Sequence, residues 1–161
     1  MKTKSLTGVV AVMAFAMLAM MAVTAMAQDD SNDNMEILRG KVRADKKLLV
    51  ADNMQLTDEE GKAFWPVYDA YQKEKGKLND QKLKVIEEYA AHFQELSDEV
   101  AKDLVDRSIG IQQDAVKLME SYLPKFRKAV GDKKTARFYQ IENKIDAVIN
   151  FGLASHIPLA Q

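Results

Sequence analysis

The sequence predicts an all-α protein built from four long helices. Three observations lead there. Apolar residues recur every three or four positions from residue 35 onward, and no run of alternating β-branched residues interrupts them. Two stretches, Leu56-Thr57-Asp58-Glu59-Glu60 and Leu96-Ser97-Asp98-Glu99, carry the chemistry of a helix start. Only 7 Gly and 3 Pro occur in 161 residues, so little punctuates the helical pattern.

The first 27 residues read as a secretory signal peptide. Lys2 and Lys4 open it, Leu6 to Ala27 runs without a charge, and Ala25-Met26-Ala27 ends it before the acidic Gln28-Asp29-Asp30. The rival is an uncleaved anchor, because the apolar run approaches the length of a membrane span. The Ala-x-Ala site at the end of the run favours cleavage and a periplasmic location. No Cys follows the run, which excludes a lipid-anchored lipoprotein. Residues 28–34 are a polar lead expected to be disordered. One helical domain is expected over 35–155, with a C-terminal tail over 156–161.

Helix 1 is placed at about 35–53, with Met35, Leu38, Val42 and Leu49 on one stripe. Helix 2 has the clearest start. The Thr57 hydroxyl can accept from the amide three residues on while Glu60 reaches back to the Thr57 amide, a capping box. Asp58 and Glu59 add favourable charge at the positive end of the helix dipole. Phe64, Tyr68, Tyr71, Leu78, Val85, Tyr89 and Leu96 then share a seam, interrupted by Lys75 and Lys82. Pro66 is expected to kink the helix or break its first turn. Helix 3 starts at Leu96-Ser97, and Ala101, Leu104, Ser108, Ile111, Ala115, Leu118 and Tyr122 form its seam. Pro124 is expected to end or bend it. Helix 4 starts near Gly131-Asp132, with Phe138, Ile141, Ile145 and Val148 as its seam. The short links between helices 1 and 2 and between 2 and 3 favour antiparallel hairpins.

Composition narrows the chemistry. Past residue 27 the chain has 21 basic and 24 acidic residues, a net charge of −3, so there is no global basic field for nucleic acid. With no Cys there is no disulfide, thiolate metal site or cysteine nucleophile. The two histidines, His92 and His156, are far apart in sequence, and metal or catalytic work needs converging groups. No Ser lies in a Gly-flanked elbow and no Gly-rich phosphate loop occurs. The expectation is a non-enzymatic chain with no catalytic, cofactor or metal residues.

What remains is a surface for other proteins. Phe64, Trp65, Tyr68 and Tyr71 crowd two turns of helix 2, beside Lys75 and Lys82. Phe64, Tyr68 and Tyr71 share the seam and are most simply core; Trp65 sits about 100° around the helix. A surface aromatic flanked by lysines suits binding of unfolded polypeptide. These six residues are the candidate binding set, and the position of Trp65 discriminates: exposed it argues for binding, buried it assigns the cluster to the core.

Leu56-Thr57-x-x-Glu60 resembles the LTxxQ motif of the Spy/CpxP family of periplasmic proteins, and Leu96-Ser97 resembles that family's looser second copy. The stretch through Phe64-Trp65-Pro66-Val67-Tyr68 is similar to a variant found among its members, and the likeness covers about residues 35–150. Glu60 stands where the family has Gln, a change that capping tolerates. The mild acidity departs from the family's positively charged cradle, although Lys73, Lys75, Lys77, Lys82 and Lys84 make a local basic strip. The resemblance implies a thin, curved, four-helix homodimer working without ATP or any cofactor. It implies unfolded or misfolded envelope proteins as partners, or the periplasmic domain of a sensor kinase that it restrains. A metal-responsive periplasmic sensor is a further alternative.

Overall fold

The structure, a computed structural model, describes residues 30–160, with side chains from Gly40 onward. The expected signal peptide and the first residues of the polar lead lie outside the described residues. The described chain is all-helical. It holds three α-helices, α1 (Asp30–Met54), α2 (Asp58–His92) and α3 (Asp98–Ala154), with a 3-10 turn at Phe93–Glu95. Helix α1 starts before the expected residue 35, so residues 30–34 of the polar lead are helical.

Three helices stand where four were expected, and the difference lies at two residues. Pro124 was expected to end or bend the third helix, and α3 continues through it. The break comes at Gly131, whose φ of 73° and ψ of 171° are not helical. Glycine alone adopts that backbone region readily, because a Cβ clashes there. The expected third and fourth segments thus follow one another through a single residue, with no linker to separate them. The bend is sharp: a straight helix would hold residues 126 and 138 about 18 Å apart, whereas the Phe126 and Phe138 ring centroids lie 4.4 Å apart.

Helix α2 follows its sequence closely. Glu60 N donates to Thr57 Oγ1 at 3.3 Å and Thr57 N donates to Glu60 Oε2 at 2.8 Å, so the capping box is complete. At about 1.5 Å per residue, the 35 residues span about 52 Å. Pro66 neither breaks nor ends the helix. Ser97 caps α3 through its hydroxyl, which accepts from Val100 N at 3.3 Å. The reciprocal carboxylate is missing there, since the residue three past Ser97 is Val100.

The described chain divides into two compact units by its internal packing. One joins α1 and Gln55 to Gln140–His156, the last part of α3 and the turn after it. In it Val50, Met54, Ile141 and Ile145 are buried. Lys46 Nζ donates to the buried Glu142 Oε2 at 3.1 Å. The other unit holds Leu56–Tyr139 and the last residues from Ile157.

The core of that second unit is aromatic. Phe64 meets Phe126 at 5.6 Å and Phe138 at 5.4 Å between ring centroids. Tyr71 meets Tyr122 at 5.5 Å and Phe126 at 5.8 Å. Most of these pairs are edge-on or tilted, the geometry that ring quadrupoles favour. Both arms of α3 beside Gly131 therefore pack on the same face of α2. At the far end, Tyr89 Oη donates to the Pro158 carbonyl at 2.9 Å and holds the tail on α2.

Candidate polypeptide-binding surface

The six candidate residues separate into core and edge. Phe64, Tyr68 and Tyr71 are buried and belong to the ring cluster. Lys75 is also buried, which places it in the seam that it was read as interrupting; its ammonium lies 5.9 Å from the Tyr71 ring centroid. Lys82 is half-buried. Trp65 is half-buried as well, edge-on to Phe64 at 5.1 Å and to Tyr68 at 5.4 Å. Its indole lies over Gly61, where an added Cβ would come within 3.6 Å of Nε1. Trp65 is the rim of the aromatic core, with one flank packed and one in solvent.

The capping residues Leu56, Thr57, Glu60, Leu96 and Ser97 serve helix starts, and Glu60 does more. Its carboxylate also accepts from Lys134 Nζ, past the corner at Gly131. That hydrogen bond, with the one from the Thr57 amide, holds the Glu60 carboxyl below the usual carboxylate range.

A surface not singled out from the sequence lies on α3. Val105, Ile109 and Val116 are 56%, 48% and 59% exposed. Their spacing of four and seven residues puts them on one helix face. Leu104 and Tyr122, by contrast, are buried and form the covered seam. The helix therefore has two apolar faces, and the intramolecular core covers one. Counting apolar residues at every helical offset, not along one seam alone, would have exposed this second row.

A cleft of about 340 Å³ opens between α2 and α3 beside Lys84, Val85, Arg107 and Ile111. The Arg107 guanidinium is committed, donating to Glu88 at 2.6 Å and Asp103 at 2.8 Å. His92 Nδ1 lies 2.8 Å from the Glu88 carbonyl and His156 Nδ1 lies 2.8 Å from the Gly152 carbonyl, so each ring donates to a carbonyl four residues back. Among the described residues no three His, Cys, Asp or Glu side chains gather in a way that holds a metal ion. No described helix is long and apolar enough to cross a membrane.

Comparison with protein-family models, with curated proteins and with solved structures gave no match.

Proposed function

We propose that this chain is an exported, ATP-independent holding protein of the Spy/CpxP kind, which binds unfolded envelope polypeptides without covalent chemistry. The observation that carries the reading is the uncovered apolar row Val105, Ile109 and Val116 on α3. Singly exposed apolar residues are ordinary on a protein surface, but three at helical spacing, interrupted at Gln112 and Gln113, line up along one face for an extended chain. Trp65 supports the reading less than its sequence position suggested, because one flank is packed against Phe64 and Tyr68. Phe64, Tyr68 and Tyr71 are withdrawn from the binding surface, since they form the core.

In this reading the helices make the extended, curved hairpin arrangement of that family, acting as a homodimer in the periplasm. Holding requires only that client segments exchange water for the apolar row, so no cofactor enters. The test is aggregation of several chemically or thermally unfolded proteins, followed by light scattering with the chain at stoichiometric ratio and no nucleotide. Suppression across unrelated clients is the expected result. Failure on all of them, with saturable capture of a sensor-kinase periplasmic domain instead, would replace holding by the adaptor reading.

A further inference from the structure

The corner at Gly131 gathers cations. Residues 125–137 contain Lys125, Arg127, Lys128, Lys133, Lys134 and Arg137 against the single acid Asp132, a net +5 within a chain of net charge −1. All six except Lys134 are exposed. Two are committed within the fold: Arg127 Nε lies 2.9 Å from Asp132 Oδ1, and Lys134 pairs with Glu60. Lys125 Nζ sits 4.1 Å from the Tyr122 ring centroid, at the edge of the core. Lys128, Lys133 and Arg137 have no acidic partner among the described residues.

Fold stability explains only half of this charge. Lys125, Arg127 and Lys128 lie in the last turns before Gly131, where cations suit the negative end of a helix dipole. Lys133 and Lys134 lie in the first turn after it, where cations oppose the positive end. The starts of α2 and α3 carry only acids among their first-turn charges, Asp58, Glu59 and Glu60 in α2 and Asp98 and Glu99 in α3, whereas here Asp132 is followed by two lysines. Glu60 compensates Lys134; nothing described compensates Lys133.

We propose that this corner is a docking surface for an anionic phospholipid bilayer. The cations stand on two helix arms around a bend, mostly on flexible lysine stems. A single phosphate or an acidic side chain needs donors that converge. A plane of headgroup phosphates accepts donors that are spread, and clusters of four to eight Lys and Arg are what such surfaces attract. The cations of the corner are mostly exposed on the surface, so the contact is with headgroups and not with the bilayer interior. The inference stands apart from the client-holding reading and survives its failure.

The test is sedimentation of the chain, as purified from an expressing host, with vesicles of phosphatidylglycerol and phosphatidylcholine. Phosphatidylcholine alone is the control for apolar binding. We expect preferential binding to the anionic vesicles at low salt, screened as ionic strength rises. Each uncommitted cation strengthens binding about fivefold, so Lys128→Gln, Lys133→Gln and Arg137→Gln together weaken it roughly a hundredfold. Circular dichroism checks that this variant is folded. A control carrying Lys41→Gln, Lys73→Gln and Lys84→Gln, the same charge change at other exposed sites, loses far less. Three results overturn the proposal: equal loss in both variants, equal binding to neutral and anionic vesicles, or displacement by millimolar inorganic phosphate at constant ionic strength. Binding through the corner to polyglutamate but not to anionic vesicles assigns it to an acidic polypeptide and overturns it as well.

Discussion

The Glu60 carboxylate accepts from the Thr57 amide and from the Lys134 ammonium together, and both hold its carboxyl below the ordinary range, Lys134 the more. A carboxyl whose folded value is lowered contributes stability above its unfolded value of about 4.3. That contribution is lost as the pH falls through the lower, folded value. Glu60→Gln keeps a side chain able to complete the capping box but loses the ionic link. In urea unfolding, the variant should be less stable than the parent at pH 7, and the gap should close near pH 3. A gap that stays constant across that range would show that the carboxylate charge is not linked to folding. The capping half of this arrangement was legible within five consecutive residues, whereas Lys134 lies 74 positions away and no local pattern points to it. The same holds for Lys46 and Glu142, 96 positions apart. Glu142 is 1% exposed, and Lys46 12%. Lys46→Met leaves that carboxylate buried without this cation and should cost about 3 kcal/mol. Pairing it with Glu142→Leu should recover most of the loss in thermal unfolding, because desolvation of both charges offsets much of their attraction.

Among the elements, α3 departs furthest from expectation, and it does so through the relative strength of Pro and Gly. Proline removes one hydrogen bond and crowds the preceding turn. At Pro124 the flanking Tyr122 and Phe126 are both in the aromatic core, and their packing keeps the helix going. Gly131 adopts a backbone that no other residue holds comfortably, and the chain turns there. Space is not the constraint, since a Cβ at Gly131 would meet nothing within 4 Å. Gly131→Ala should therefore destabilise by about 1–3 kcal/mol through the backbone alone. Denaturant unfolding measures the loss. An unchanged midpoint would mean that the corner is not held in this conformation. Gln55 is the milder case: its φ of 51° ends α1 in the left-handed region where helices usually place Gly. The starts of α2 and α3 were legible from sequence because caps are local. The corner was legible only as a place where a helix begins, since a glycine by itself signals neither direction nor sharpness of a turn.

For the molecule as a whole, the question is which apolar surface folding uses and which it leaves. The ring cluster of Phe64, Tyr68, Tyr71, Tyr122, Phe126 and Phe138 takes up three of the four aromatic residues that the sequence offered for binding, and Trp65 stays at its rim. Val105, Ile109 and Val116 stay outside. If holding of unfolded chains depends on that row, Val105→Ser, Ile109→Ser and Val116→Ser together should abolish suppression of aggregation. Stability should change little, because exposed substitutions usually stay within about 0.5 kcal/mol each. Light scattering and thermal unfolding of the same variant separate the two effects. Retained suppression would remove the row from the function. Phe126→Ala is the complementary case: it empties the core, should cost about 3–5 kcal/mol, and affects holding only through unfolding.

The sequence alone determined that the described chain is helical, where α2 and α3 begin, and that Phe64, Tyr68, Tyr71 and Val85 share the buried seam of α2. Those properties rest on spacing and capping within a few residues, which a linear pattern records in full. Tertiary structure alone decided that Phe64 meets both arms of α3 across Gly131, that Lys75 lies inside the seam, and that Glu60 reaches Lys134. It also decided that one apolar face of α3 is covered and the other is not. The reason is physical: helical periodicity tells which side of an element is apolar, but coverage depends on what a distant segment brings against it.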